Sequence, residues 1–533
     1  MNVAAAVGQA LAAAGVRQVF GVVGSGNFHL TNAMVAAGAR FVAARHEGGA
    51  ATMADAYARM SGTVAALSVH QGCGLTNAMT GIAEAAKSRT PMIVVAAEAS
   101  EPRSNFYVDQ DALARSVGAL PLRITSADTA VAEASKAVAT AAHERRTVLL
   151  NVPLSLQPLE APEGTLDAAP VPEREPVLPE AGAVAALADL LRRAERPVFV
   201  AGRGARGARQ ALEALAERCG ALLATSAVAH GLFNGNPWSL GISGGFASPR
   251  TAQLIRGADL IVGWGCALNM WTMRHGQLIA PDATVVQVDD DAAALGAHRE
   301  IQLGVTGDVG LTAALVLGEQ RRGYRTTDPG SVRWRDVGYD DMSTADRIDP
   351  RTLSIALDDL LPAERVIAVD SGNFMGYPSA YLEVPDENGL CFTQAFQSVG
   401  LGLATAIGAA LARPDRLPVA ALGDGGALMS AAELDTVRRL GLPMLVVVYN
   451  DEAYGAEVHH FTGYPLDTVT FPPTDIAAIG RGYGFEAATV RTVADLDAVR
   501  DWLHGPRSKP LLLDAKVVSD QPSWWLEEAF RGH

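Results

Sequence analysis

Cysteine is scarce in this chain. The four present among 533 residues, Cys73, Cys219, Cys266 and Cys391, are scattered without metal-ligand spacing. That leaves neither a disulfide scaffold nor a zinc site, and they read as small buried side chains in a protein of the reducing cytoplasm. Positive charge is short as well: 43 Lys and Arg stand against 58 Asp and Glu, a net charge of −15. A surface that holds a phosphate backbone or anionic lipid needs an excess of Lys and Arg, so the balance argues against nucleic-acid and membrane partners. No apolar stretch reaches about 18 residues without a charge, so no transmembrane helix is expected. The Ala-rich start has no basic n-region and reads as an amphipathic helix, Val3 to Ala14, stopped by Gly15. What is abundant is Ala, Gly and aliphatic side chains, with 49% hydrophobic and 19% charged residues, the composition of a well-packed α/β globule.

The length exceeds a single core and suggests about three domains. Two stretches divide it: Gln157–Glu180, rich in Pro and Glu, and Gln320–Asp349, charged and without clear periodicity. Domains are therefore expected at 1–157, 181–320 and 349–533. Within them short apolar runs alternate with helical patterns. Examples are Gln18–Val23, Val64–Val69 and Met92–Ala97 in the first, Pro197–Ala201 and Leu260–Gly263 in the second, and Val366–Val369 and Met444–Tyr449 in the third. This repetition predicts an α/β fold of three doubly wound parallel-sheet domains, with ligands at the carboxyl ends of the strands.

One stretch carries most of the chemistry. Pro418–Leu422 runs into Gly423-Asp424-Gly425-Gly426, and a helical pattern with Leu434, Val437 and Leu440 follows, stopped by Gly441 and Pro443. The strand Met444–Tyr449 then delivers Asn450-Asp451-Glu452-Ala453-Tyr454-Gly455 to the same sheet edge. Consecutive glycines let backbone N–H groups approach phosphate oxygens. A carboxylate beside them holds a hard divalent cation that keeps part of its coordination for those phosphates. Magnesium on a diphosphate fits this best. A lone Gly-Asp-Gly is usually an ordinary turn; its spacing from an Asn-Asp pair at the next strand end makes it a site. In the first domain Glu47, within Arg45-His46-Glu47-Gly48-Gly49-Ala50, sits where a strand gives way to a helix. It reads either as a carboxylate answering the helix N-terminus or as one desolvated for acid–base work.

Gly-Asp-Gly, a helix, a strand and Asn-Asp together resemble the thiamine diphosphate signature. Arg45-His46-Glu47 and the Gly-rich loop Ser68–Asn77 resemble the pyruvate-decarboxylase and acetolactate-synthase superfamily, and the likeness covers nearly the whole chain. It implies pyrimidine-binding, central and diphosphate-binding domains, with thiamine diphosphate and Mg²⁺ as cofactors. Metal ligation falls to Asp424, Asp451 and the Ala453 carbonyl, with a carboxylate at 451 where the family has an amide. By the same likeness Glu47 bonds N1′ of the aminopyrimidine, and Gly423, Gly425, Gly426, Tyr454, Gly455, Ser371, Asn373 and Gln397 surround the cofactor. Val399 takes the place of the wedge under its bend. His70 and Ser25 resemble benzoylformate decarboxylase positions that handle protons on the substrate carbinol oxygen and contact the substrate carboxylate. Glu457 resembles the Glu of pyruvate and indolepyruvate decarboxylases that protonates the enamine, and Gln110 occupies the region of a site-facing Gln. The implied reaction is non-oxidative decarboxylation of a 2-oxo acid, with the enamine protonated to an aldehyde or joined to a second aldehyde or ketone. Carboligation of the acetolactate-synthase kind is the alternative. Relatives join the Glu47 and Asp424 domains across a subunit boundary, so a homodimer or homotetramer is expected.

Gly202-Arg203-Gly204-Ala205-Arg206-Gly207 after the strand Pro197–Ala201 supports a reading of another class, NAD or FAD oxidoreduction. A nicotinamide site needs a carboxylate at the end of the second strand. That strand, Ala221–Thr225, runs instead into Ser226-Ala227-Val228, so the glycines read as a turn requirement. The superfamily likeness allows FAD or ADP there without a chemical role, and neither is favoured. Asp289-Asp290-Asp291 reads as a solvated loop, His29 and the pair His459-His460 as surface or channel residues, and Pro522–Leu526 as a tail folded over the site or a neighbour.

Overall fold

The computed structural model describes residues 1–162, 169–316, 321–326, 328–519 and 521–526. They form three domains, each around a six-stranded sheet in which every paired strand is parallel. The first sheet contains β1 (Gln18–Gly21), β2 (Arg40–Ala43), β3 (Ala65–Val69), β4 (Met92–Glu98), β5 (Leu120–Arg123) and β6 (Thr147–Pro153), in the order β2-β1-β3-β4-β6-β5. The second contains β7 (Pro197–Ala201), β8 (Leu222–Thr225), β9 (Ser239–Ile242), β10 (Leu260–Trp264), β11 (Thr284–Asp289) and β12 (Leu303–Thr306), ordered β12-β11-β10-β7-β8-β9. The third contains β13 (Arg365–Val369), β14 (Leu390–Phe392), β15 (Leu417–Gly423), β16 (Leu445–Asn450), β17 (Glu486–Val490) and β18 (Leu511–Lys516), ordered β14-β13-β15-β16-β18-β17. The first and third sheets thus share one strand permutation, and the central sheet has the dinucleotide-fold order. β4 and β16 are buried at every position, as strands covered by helices on both faces must be.

A close helix pair joins the first and third domains. Gly402–Ala412, built almost wholly of small and aliphatic residues, lies across Glu47–Ser61, and a Cβ on Gly408 would overlap the Met53 carbonyl. This approach closes a core shared by Phe20, Met53 and Leu67 with Leu403, Ile407 and Leu434. Each such side chain contributes on the order of 2 kcal/mol by leaving water. Beside it lies a buried ion triad: Arg59 meets Asp55 at 2.6 Å and Glu84 at 2.7 Å. Glu84 also accepts the N–H groups of Ala395 (3.0 Å) and Phe396 (2.6 Å) in the third domain.

Two expectations need correction. Asp289-Asp290-Asp291 is a clamp between domains rather than a solvated loop: Asp290 accepts from Arg145 and from Arg174 (2.6 Å), and Asp291 pairs with Arg89 at 2.8 Å. Cys73 is exposed at the start of the helix Cys73–Lys87, whereas the other three cysteines are buried, and all four are free. The second linker is packed against the tail, with the Trp334 ring 4.2 Å from that of Trp524 and tilted 31° to it. The tail does fold back: Trp525 is fully buried over Gly376, and the Ser523 hydroxyl donates to Asn373 Oδ1 at 2.6 Å. The expected boundaries at 320 and 533 lie outside the described residues. Among the described residues no helix is long and apolar enough to cross a membrane.

Candidate active site

The adjacent strands β13, β15 and β16 end side by side, with Val369 opposite Ala421 and Gly423 opposite Tyr449. Their carboxyl ends deliver Asp370–Asn373, Asp424 and Asp451 to one edge. Gly-Asp-Gly is not a loop here. β15 passes directly into the short helix Asp424–Met429 with Gly423 as its N-cap, which puts Gly425 and Gly426 in a first turn whose N–H groups have no acceptor within the helix. The Asp424 and Asp451 carboxylates face each other; burial pushes both upward, and the neighbouring Asp424 pushes Asp451 up further, whereas the contact with Asp451 pulls Asp424 back down. Lys516, the cation acting on this pair, is already engaged by Asp514 at 3.3 Å and Glu452 at 3.5 Å. The pair is therefore short of positive charge, and two carboxylates beside the Ala453 carbonyl form a hard-oxygen set that fits Mg²⁺ with phosphate oxygens completing its shell.

The loop after β16 is rigid. Tyr454 N–H donates to the Val469 carbonyl at 2.8 Å, and Phe471 N–H to the Glu452 carbonyl at 2.9 Å. Glu452 also pairs with Arg347 at 2.6 Å. The Tyr454 ring lies so close over Gly425 that a Cβ there would come within 2.7 Å of it. Glu452 and Gln397 both have φ of 60°, a left-handed backbone costing on the order of 1 kcal/mol each that the surrounding bonds sustain. Asp370 stands behind the site and holds its backbone. Fully buried, it accepts N–H bonds from Ser371 (2.8 Å), Gly400 (3.0 Å) and Leu401 (3.2 Å), tying the Ser371–Asn373 and Gln397–Val399 segments together. Burial pushes it up to about 7 against the pull of those donors. Gly426 packs so near that a Cβ would overlap its carboxylate.

These residues open into a cavity of about 1410 Å³. Ser371, Asn373, Gln397, Val399, Gly423, Asp424, Gly425, Gly426, Asp451, Ala453, Tyr454, Gly455 and Glu457 all line it, so the expected diphosphate set is brought together. The cavity continues to the central domain, where Arg203 donates to the Ser88 carbonyl and burial pushes its guanidinium down to about 9. Gly202 and Gly204 meet Gly265 backbone to backbone, with no room for a Cβ at either position. That contact accounts for the Gly-x-Gly pattern without a dinucleotide.

A second group gathers at the equivalent edge of the first sheet. Ser25 follows β1, Glu47 follows β2 and His70 follows β3. Ser25 Oγ lies 3.4 Å from His70 Nε2, and His70 Nδ1 lies 3.0 Å from the Gln71 carbonyl. With Nδ1 protonated to meet that carbonyl, Nε2 is the acceptor facing Ser25. Asn77 Nδ2 donates to Glu47 Oε2 at 3.1 Å, and Glu47 Oε1 is 3.5 Å from where a Cβ on Gly74 would stand, beside His70 Cβ. Gln110 is placed differently from expectation. It is 2% exposed, its amide donates to the Ala97 carbonyl and Asn151 Oδ1, and its oxygen accepts Gly72 N–H at 3.1 Å. Its polar groups are consumed in clamping the His70 loop, which leaves none to face a substrate. His29 is exposed, as expected. None of Ser25, Glu47, His70 and Gln110 lines the Asp424 cavity of the same chain.

Comparison with known proteins places the chain in a family. Three family models match in series: "Thiamine pyrophosphate enzyme, N-terminal TPP binding domain" over residues 1–113, its "central domain" over 184–316 and its "C-terminal TPP binding domain" over 370–515. The chain belongs to the thiamine diphosphate enzymes. Within them it falls in the superfamily of 2-oxo acid decarboxylases and acetolactate synthases. It is 30% identical to the Pseudomonas aeruginosa "Probable 2-ketoarginine decarboxylase AruI", over 91% of this chain and 88% of that protein. It is 28% identical to a Rhodobacter capsulatus sulfoacetaldehyde acetyltransferase, covering 97% and 93%, and 27% identical to the acetolactate synthase large subunit of Parasynechococcus marenigrum, covering 91% and 83%. The fold matches a Rhodococcus jostii RHA1 thiamine diphosphate-dependent 4-hydroxybenzoylformate decarboxylase with a TM-score of 0.83 at 22% identity, over 98% of this chain and 100% of that one.

Proposed function

We propose that this protein decarboxylates a 2-oxo acid non-oxidatively and releases the aldehyde, using thiamine diphosphate anchored by Mg²⁺. The observation that carries the reading is the Ser25–His70 pair beside Glu47. Asp424, Asp451 and the Ala453 carbonyl would hold the metal, and the glycine corner Gly423–Gly426 would admit the diphosphate. Once bound, the cofactor supplies the electron sink that accepts the pair released when carbon dioxide leaves. The chain's own residues do the rest. The Ser25 hydroxyl donates to the substrate carboxylate, and His70 Nε2 exchanges a proton with the former carbonyl oxygen. Glu47 holds a proton at the pyrimidine ring nitrogen, and Glu457 delivers one to the carbon that has lost its carboxylate.

Because Glu47 and Asp424 of one chain do not share a cavity, the reading requires two copies, each presenting its Glu47 edge to the other's Asp424 cavity. The exposed Phe106, Tyr107, Leu428 and Met429 near those edges support it, since apolar side chains of this size are usually covered by a partner. A homodimer is the minimum unit and a homotetramer its extension. The second reading, carboligation, is favoured by the relatives named as acetolactate synthase and sulfoacetaldehyde acetyltransferase.

The test is reconstitution with thiamine diphosphate and Mg²⁺ and a panel of aliphatic, aromatic and guanidino 2-oxo acids, with and without acceptor aldehydes. Carbon dioxide release with free aldehyde upholds the first reading, and a 2-hydroxyketone product the second. Cofactor retention without carbon dioxide release from any acid defeats both.

A further inference from the structure

Within one chain, the segment that begins at Asp424 ends against the loop that carries Glu47. The helix Asp424–Met429 is followed by a 3-10 turn, Ala431–Glu433, and a second helix, Leu434–Leu440. Glu433, 2% exposed, turns its carboxylate onto the first domain. Its Oε1 accepts the N–H of Arg45 at 3.0 Å and of His46 at 3.0 Å, and its Oε2 accepts the Thr436 hydroxyl at 2.6 Å. Arg45 and His46 immediately precede Glu47, where backbone N–H groups have no partner within the helix that follows. A carboxylate buried this deeply is costly unless its hydrogen bonds are made, so the contact is a fixed joint rather than a surface encounter. Gly49 belongs to the joint, because a Cβ there would stand 2.5 Å from Glu433 Oε1. Two further bonds flank it: Arg45 Nε to Asp435 at 2.6 Å and Arg439 to the Ala43 carbonyl at 2.6 Å.

We propose that Glu433 is a positioning residue for Glu47 of its own chain, so that the helix built on one cofactor site fixes the proton-handling carboxylate of the other. The inference rests on the reading of a site shared by two copies. In that arrangement a chain's Asp424 serves the cofactor it anchors, whereas its Glu47 serves the cofactor anchored by the partner. Glu433 lies on the first element and grips the second.

Two measurements test it. In the protein without cofactor, hydrogen exchange at the Arg45 and His46 amides should quicken about tenfold or more in Glu433→Ala. Glu433→Gln keeps an acceptor oxygen and should leave the exchange slow, whereas Gly49→Ala pushes the carboxylate aside and should quicken it. Unchanged exchange in Glu433→Ala overturns the proposal. The second measurement uses mixed dimers from two tagged copies, reconstituted with thiamine diphosphate and Mg²⁺ and assayed for carbon dioxide release. With Glu433→Ala and Glu47→Gln on one chain, the surviving Glu47 belongs to an unaltered chain, and about half the wild-type kcat is expected of a two-fold dimer. With the substitutions on opposite chains, the surviving Glu47 has lost its Glu433, and kcat should fall about tenfold or more below the first arrangement with KM little changed. Equal rates in the two arrangements, or the reverse order, overturn the proposal. The shared site itself is tested apart: dimers pairing Glu47→Gln with Asp424→Asn should recover activity that neither parent has, and no recovery removes that reading.

Discussion

Ser25 Oγ and His70 Nε2 stand 3.4 Å apart across 45 residues of sequence, at the ends of β1 and β3, the neighbouring strands where the order of the first sheet reverses. A hydroxyl facing an imidazole whose other nitrogen is held by the Gln71 carbonyl is a pair set up for one proton. His70→Ala should lower kcat about a hundredfold or more, the usual worth of a positioned acid–base group. Ser25→Ala should act mainly on KM, by about tenfold for one hydrogen bond to a charged group. Steady-state kinetics on the best 2-oxo acid separates the two effects. A His70→Ala enzyme with near-normal kcat would leave the pair without a chemical role.

Asp451 occupies the position where the family places an amide, and Asp451→Asn tests what the added carboxylate does. An amide oxygen can still ligate Mg²⁺, but cation affinity follows the charge of its ligands. The variant should bind thiamine diphosphate with Mg²⁺ no more than about tenfold more weakly, roughly 1.4 kcal/mol. Asp424→Asn should lose metal-dependent binding much more severely. Calorimetric titration of cofactor at fixed Mg²⁺ distinguishes the two, and equal losses would mean that Asp451 is as indispensable as Asp424.

How far the sequence foretells this arrangement depends on where each residue's partner lies. Pro197–Ala201 folds at the boundaries read from the chain, because a short apolar run is a local signal. The Asp424 corner was legible as a site but not as a helix, since consecutive glycines hide helical propensity that the packing of Tyr454 and Asp370 supplies. Gln110 points to chemistry in the sequence, but Asn151, 41 residues away, takes its amide. Asp290 looked solvated because its counter-ions are remote in sequence, Arg145 in the first domain and Arg174 in the linker that follows it. Glu433 carried no signal of this joint: its partners across it are backbone N–H groups 387 and 388 residues distant, and backbone leaves no trace in a residue pattern.

Arg59 contacts two buried carboxylates, Asp55 and Glu84, and Glu84 in turn secures Ala395 and Phe396 just before Gln397. Arg59→Met fills the space but strands both carboxylates, and a broken buried ion network typically costs about 3–5 kcal/mol. Denaturant unfolding should show that loss. The triple variant Asp55→Asn, Arg59→Met, Glu84→Gln removes the charges together and should recover most of it. If the single and triple variants are equally unstable, packing rather than charge sets the cost.

His230 gives the molecule a definite acid sensitivity. It follows the 3-10 turn Ala227–Ala229, beside the contact of Gly231 with Asp386, and its Nδ1 is enclosed without a hydrogen-bond partner among the described residues. Burial pushes the ring from 6.5 down to about 4. A depressed value means that between those limits the unfolded chain takes up a proton that the folded chain refuses. The stabilisation is therefore complete above pH 6.5 and is lost as the pH falls through about 4. Full enclosure would make the difference roughly 3 kcal/mol, and because the residue is partly exposed this is an upper bound. His230→Asn removes the titration. The gap in apparent melting midpoint between wild type and variant should therefore shift in the variant's favour as the pH is lowered from about 7.5 to about 5. A gap that stays constant over that range would show that the ring is hydrated and protonates in the native protein as freely as in the unfolded chain.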